Sequence, residues 1–208
     1  LAFQMPLTPL VYKNYDKPET QKQIGDIFSY FLILIIPLLI AIALFSGEIL
    51  KVISAPAFWG AATLAPWLTI GVVMMSLYVF SPGLGIAKKT KHIALINIIA
   101  AAVNVIMNLL LVPLYGRSGA AAATVCCGGV MAALYFWLGN LQYRVEYRTV
   151  RNIGAALLLA ASMVISIFWQ PGLLAKMLIW LLLSFTAVFL LVTETDWARL
   201  KMHLHEMR

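Results

Sequence analysis

The sequence predicts an all-α fold, a polytopic bundle of transmembrane helices, and three observations carry that prediction. Of 208 residues, 62% are apolar and 11% are charged, whereas soluble domains carry roughly 45–50% and about 25%. Apolar runs of bilayer-spanning length recur along the chain, free of Asp, Glu, Lys and Arg except for Lys176 in the first turn of the last. The basic residues between them alternate between rich and poor connectors. A soluble domain of this size would have to cover its surface with charge, and this chain has too little.

A hydrocarbon core about 30 Å thick needs roughly 20 residues at about 1.5 Å rise each. Six runs meet or approach that length: residues 27–46, 57–80, 92–113, 118–139, 153–169 and 173–193, the fifth being the shortest. Ahead of them, residues 1–12 (LAFQMPLTPLVY) are apolar but reach only about 18 Å at helical rise, which predicts the end of a truncated transmembrane helix. The predicted organisation is therefore a helix end at 1–12, a lobe with four transmembrane helices at 13–140, two further helices at 141–193, and a tail at 194–208.

Short cytoplasmic loops hold back positive charge, so the connectors orient the spans. One alternating set holds Lys13, Lys17, Lys22, Lys88, Lys89, Lys91, Arg144, Arg148, Arg151, Arg199, Lys201 and Arg208; the other holds only Lys51, Arg117 and Lys176. The first loop and the C-terminus are thus predicted to be cytoplasmic, with Glu48, Arg117 and Pro171 near the outer face. Trp59, Trp67, Tyr115, Trp169 and Trp197 lie near span ends or within a turn or two of them, broadly as an interfacial aromatic belt would have it. The net charge of +7 is spent in these loop clusters and makes no basic face with interleaved aromatics, so nucleic acid is not an expected partner.

Asn97, Asn104 and Asn108 are the strongly polar residues well inside the run 92–113. At 100° per residue they fall within about 20° of one helix face. Asparagine facing lipid is costly, so this face must meet other helices or a wet cavity. Either interhelical hydrogen bonding or a polar path for a substrate head group accounts for it. In the next helix Gly116, Ala120, Thr124, Gly128 and Ala132 form a ridge of small residues at steps of four, on which a neighbouring backbone can approach closely. The asparagine helix, joined by the tight turn at 113–118, is the expected neighbour. Arg117 lies at the outer mouth of this hairpin.

Pro37 and Pro66 fall inside predicted spans, and Pro82 and Gly83 interrupt the chain in SPGLG ahead of Lys88. Such breaks bend membrane helices and make these four residues candidate hinges. Catalytic signatures do not emerge: the sequence has neither a nucleotide-binding Gly-rich loop ending in Lys-Ser/Thr nor a Gly-x-Ser-x-Gly elbow. Adjacent Cys126 and Cys127 lack metal-ligand spacing, and His92, His203 and His205 lack a complete ligand set. No enzyme activity, metal or cofactor is expected.

The stretch GIAKKTKHIALINIIAAAVNVIMNLLLVPLYGRSGAAAAT, residues 85–124, resembles the C-terminal half of bacterial polysaccharide-biosynthesis membrane proteins. These are lipid-linked oligosaccharide flippases, of the O-antigen and lipopolysaccharide type, in the multidrug/oligosaccharidyl-lipid/polysaccharide (MOP) exporter superfamily. The resemblance rests on Lys89 and Thr90, Asn104 and Asn108, Pro113 with Tyr115 and Gly116, and Gly119 to Ala121. Pro9, Tyr12, Tyr15, Phe45, Glu48 and Ile49 extend it over most of residues 1–140. It implies the C-terminal lobe of a V-shaped transporter plus two appended helices, with the N-terminal lobe of the same protein as a partner. The implied substrate is a polyprenyl-diphosphate-linked oligosaccharide carried across the bacterial inner membrane, beside other glycan-assembly membrane proteins. Asn104 and Asn108, with Asn97, would line the path; Lys51 and Arg117 would stand at the outer mouth, Lys88 and Lys89 at the inner. A cation-coupled multidrug exporter and a non-transporting scaffold or polymerase of a glycan pathway are the alternatives.

Overall fold

The computed structural model describes residues 9, 11–168 and 172–192. Among the described residues all regular structure is helical. The principal helices are α1 (Pro18–Ile53), α2 (Ala65–Ser76), α3 (Gly83–Ile86), α4 (Thr90–Tyr115), α5 (Arg117–Gln142), α6 (Thr149–Phe168) and α7 (Leu173–Leu191). Among the described residues five segments are long and apolar enough to cross a bilayer: Glu19–Ile53, Thr90–Tyr115, Arg117–Gln142, Thr149–Ser166 and Leu173–Leu191. The helical membrane bundle expected from composition is what the chain forms. Most of the expected helix end at 1–12 lies outside the described residues, as do Trp169, Trp197, His203 and His205; residues 11–14 are helical.

The run 57–80 is not one helix. It comprises a 3-10 segment, Pro56–Ala61, the 12-residue α2, and a second 3-10 segment, Leu77–Phe80. The apolar helix Ala65–Phe80 falls short of a full crossing. Proline explains the break. Pro56 and Pro66 each occupy the first turn of a helix, where the missing amide proton is not needed and the fixed φ suits helix entry. Pro66 therefore begins α2 and does not bend it. Pro37 is inside α1 as predicted, and Pro113 is inside α4.

The chain divides into two compact units, the first made of Leu1–Phe28 and Ser46–Tyr147 and the second of Ser29–Phe45 and Arg148–Arg208. In the first, α4 and α2 both pack along α5. Gly116, at φ 57°, makes the α4–α5 turn in a conformation that favours glycine. Gly119 lies against the backbone of Leu111, and Cys127 Sγ donates to Ala100 O at 3.2 Å, so these two residues of α5 seat α4. Thr124 and Gly128 meet Gly71 and Met74 of α2. The predicted small-residue ridge is thus a contact surface, but at these two positions its neighbour is α2 and not the asparagine helix. The two faces of α5 are served by different sets of small residues.

Further along, Ser81 Oγ donates to Tyr135 O at 2.7 Å, and Gly83 approaches the backbone of Gly139. Phe28, Phe80, Phe136 and Tyr147 form an aromatic cluster with centroid separations of 5.0 to 5.6 Å. In the second unit Ile36, Ile40 and Leu44, at steps of four on α1, pack with Ala155 of α6 and with Ala187 and Leu191 of α7. Trp180 Nε1 donates to Pro37 O at 3.0 Å. Arg148 and Arg151 donate to Leu191 O and Val192 O at 3.3 and 3.2 Å. These guanidinium groups satisfy carbonyls at the end of α7 that have no partner within the helix.

Candidate functional site

The asparagine face predicted from helical geometry is present on α4. Asn104 and Asn108 are half-buried, and the Asn108 amide donates to Asn104 O at 2.8 Å and to Asn104 Oδ1 at 3.1 Å. Their bonds run along α4 itself, and neither reaches a neighbouring helix. Asn97 is exposed, beside the side chain of Tyr135 on α5. The stripe lies between the face of α4 that packs, marked by buried Ile96 and Ala100, and a face of exposed Ile98, Val105, Leu109 and Val112.

The ends of this stripe carry cations. At the α4–α5 turn, the exposed Arg117 guanidinium lies 3.9 Å from where a Cβ on Gly60 would stand. Lys51 Nζ sits over the ring of the neighbouring Trp59, 5.9 Å from its centroid. Trp59 is held by its Nε1, which donates to Ser54 O at 3.2 Å. Lys51 and Arg117, 66 residues apart in the chain, thus each lie against the 3-10 segment Pro56–Ala61, at Trp59 and Gly60. At the other end Lys88 and Lys89 join α3 to α4: Lys88 N donates to Gly85 O at 3.0 Å and Lys89 N to Leu84 O at 2.9 Å.

Beside Lys88 and Lys89 lies a cavity of about 180 Å³ whose lining includes Tyr12, Tyr78, Ser81, Leu84, Ile93 and Tyr135. The rings of Tyr78 and Tyr135 are 5.4 Å apart at 38°. The Tyr12 hydroxyl occupies the space that a Cβ on Gly85 would take.

No family model matches the sequence, and no solved structure matches it. The chain is similar to the uncharacterized membrane protein MJ1068 of Methanocaldococcus jannaschii, 27% identical over 143 residues, or 67% of this chain and 28% of that protein. It thus spans less than a third of the length of that relative. Together with five helices long enough to cross a bilayer, this decides the class. The chain is a multi-pass membrane protein.

The candidate hinges of this membrane protein take different places. Pro37 lies within α1, and Pro66 opens α2. Pro82 caps α3, and Gly83 is buried against Gly139. Gly83 is needed for a close backbone approach, which ties the SPGLG break to α5. Among the described residues no group of His, Cys, Asp and Glu is placed to hold a metal ion.

The connector between α5 and α6 holds two shifted tyrosines. Burial pushes the Tyr147 hydroxyl far above its ordinary range, partly offset by the polar side chain of Ser81 nearby. Burial, and then the nearby negative charge of Asp16, raise Tyr143. Tyr147 donates to Phe80 O at 2.8 Å, pinning this connector to the end of the 3-10 segment Leu77–Phe80.

Sequence reasoning did not single out Tyr78, Tyr135 or the role of Trp59. Tyr78 and Tyr135 lie two and four residues from the ends of the runs 57–80 and 118–139, where an interfacial belt would also hold tyrosines, so position in the sequence does not set them apart.

Proposed function

We propose that this protein is part of a transporter that carries a lipid-linked, polyprenyl-diphosphate-bearing oligosaccharide across the cytoplasmic membrane for cell-surface polysaccharide synthesis, as the MOP-type resemblance implies. The observation that supports this reading is the line of amides on α4. It leads from Lys88 and Lys89 to Arg117, on a helix whose 26 residues rise about 39 Å, more than a bilayer core.

The physical task of such a carrier is to move hydroxyls and phosphates through a region where unsolvated polar groups cost several kcal/mol each. Asn97, Asn104 and Asn108 offer donors and acceptors in place of water. Lys88 and Lys89 would receive the anionic group at the cytoplasmic mouth, and Lys51 and Arg117 at the outer one. The chemistry is binding and release, with no covalent step. The partners in this reading are the lipid-linked substrate, the bilayer, an N-terminal lobe that closes the cavity, and neighbouring glycan-assembly proteins.

The test is translocation in vesicles. The complete protein is reconstituted with a fluorescent lipid-linked oligosaccharide in the outer leaflet, and loss of lectin accessibility is followed with time. Transfer faster than in protein-free vesicles supports the proposal. Equal rates, with correctly folded protein in the membrane, sink it.

A further inference from the structure

The cavity beside Lys88 and Lys89 has features that the polar stripe does not explain. Its lining combines aromatic faces with hydroxyls, from Tyr12, Tyr78 and Tyr135, and includes no Asp or Glu. Tyrosine rings present apolar faces for stacking, and their hydroxyls both donate and accept. Such a surface suits a neutral ring that carries several hydroxyl groups.

Aromatic groups of this kind also cage organic cations. Here the adjacent charge argues against a cation. Lys88 and Lys89 are bonded through their backbone amides to Gly85 and Leu84, both of which line the cavity, and Ile93, also lining it, donates its amide to Lys89 O at 3.3 Å. Two lysines whose backbones adjoin the lining residues would disfavour a cationic guest and favour an anionic one.

Lys88 supplies an independent observation. Its φ is 55°, and among the described residues it is the one non-glycine in the left-handed region. That conformation costs a lysine free energy that a glycine would not spend. Strain of this kind concentrates at ligand sites. A lysine at this position puts a cationic side chain on the α3–α4 turn, whose Leu84 and Gly85 line the cavity.

We infer that the cavity lined by Tyr78 and Tyr135, with Lys88 and Lys89 at its edge, binds a single sugar ring attached to a phosphate. The hydroxyls of the tyrosines take the hydroxyls of the sugar, and the lysines take the phosphate. This deepens the transport proposal by naming the part of the substrate that is held at the lysine-bearing end, and it rests on that proposal only for the lipid to which the phosphate belongs.

The experiment measures equilibrium binding to the complete protein in nanodiscs, with no transport step. The probes are farnesyl diphosphate, the same lipid carrying one hexopyranose on its diphosphate, and tetramethylammonium. The glycosylated lipid should bind about tenfold more tightly than the bare one, as one or two hydrogen bonds to neutral hydroxyls provide. The isosteric double variant Tyr78→Phe/Tyr135→Phe should bring the two lipids to within about twofold of each other, the discriminating bonds being gone. Lys88→Gly, which keeps the backbone conformation, should weaken both lipids equally. Ile93→Trp, which fills the cavity, should abolish discrimination while thermal unfolding confirms the fold.

Equal binding of the two lipids to the unaltered protein overturns the proposal. So does tight binding of tetramethylammonium that the tyrosine variants remove. If discrimination holds but vesicle translocation fails, the transport reading alone falls; if translocation proceeds without discrimination, the sugar site alone falls.

Discussion

Gly71 of α2 lies directly against Thr124 of α5: a Cβ built on Gly71 would stand 2.9 Å from Thr124 Cγ2 and 3.1 Å from its carbonyl oxygen. One turn further along α5, a Cβ on Gly128 would stand 2.5 Å from Gly71 O and 3.1 Å from Met74 Cβ. Backbone blocks the space in both cases, so a methyl group must push the helices apart. Overpacking of this sort costs about 1–3 kcal/mol. Gly128→Ala should lower the thermal unfolding midpoint measured in detergent, while Gly129→Ala, whose Cβ would meet only Met74 Cε at 3.6 Å, should leave it nearly unchanged.

Two of the predicted hinge residues should separate sharply. Pro66 occupies the first turn of α2, where proline replaces a free amide and little is lost on substitution. Pro66→Ala should therefore change stability by well under about 1 kcal/mol and leave translocation rates intact. Gly83→Ala places a methyl group on the backbone of Gly139 and should destabilise by about 1–3 kcal/mol. Parallel melting curves and vesicle assays on the two variants decide the matter; a large loss of transport in Pro66→Ala at normal stability would restore its role as a hinge.

Asn104 and Asn108 can be told apart by their bonding. The Asn108 amide keeps its bond to Asn104 O, at 2.8 Å, whatever side chain stands at 104. Asn104→Ala should thus cost stability less than about 1 kcal/mol, in the range of a single membrane hydrogen bond. If the stripe is a substrate path, the same variant should slow translocation several-fold while melting stays close to that of the parent. A stability loss matched by the loss of transport would reduce the pair to a structural role.

The sequence made the membrane class legible because hydropathy and charge act at the scale of whole helices. Runs 27–46, 92–113 and 118–139 all fall within helices of the fold. Hydropathy does not register where a run is interrupted, so it joined Pro56–Ala61, α2 and Leu77–Phe80 into one span. The proline positions held that information, but a proline that bends a helix and one that begins it look alike without the neighbouring turn. Similarly, spacing identified Thr124 and Gly128 as points of close approach but not the helix that approaches them, since small residues line more than one face of α5. The tyrosine-lined cavity was not legible at all. Residues 12, 78, 93 and 135 share no period and meet only through tertiary packing.

Tyr147 provides a pH-dependent signature outside the membrane-spanning helices. Its neutral hydroxyl donates to Phe80 O at 2.8 Å, and burial holds its pKa above the ordinary tyrosine value. In the unfolded chain the group ionises near about 10. Below that pH both states hold the proton and the stabilisation is fully present. As pH rises further the unfolded chain releases its proton first, so stability declines, by up to about 1.4 kcal/mol per pH unit, until the folded pKa is reached. At a pH of about 11, chosen between the two pKa values, folded Tyr147→Phe should show the same tyrosinate absorbance as the unaltered protein, because Tyr147 contributes none. After unfolding at the same pH, the unaltered protein should show one tyrosinate more than the variant. The variant should also lose about 1 kcal/mol at neutral pH, the hydrogen bond to Phe80 O being gone, and its stability should fall less steeply above pH about 10. A difference of one tyrosinate between the folded proteins at that pH would mean that Tyr147 titrates freely, and that the connector is not fastened to Phe80 as described.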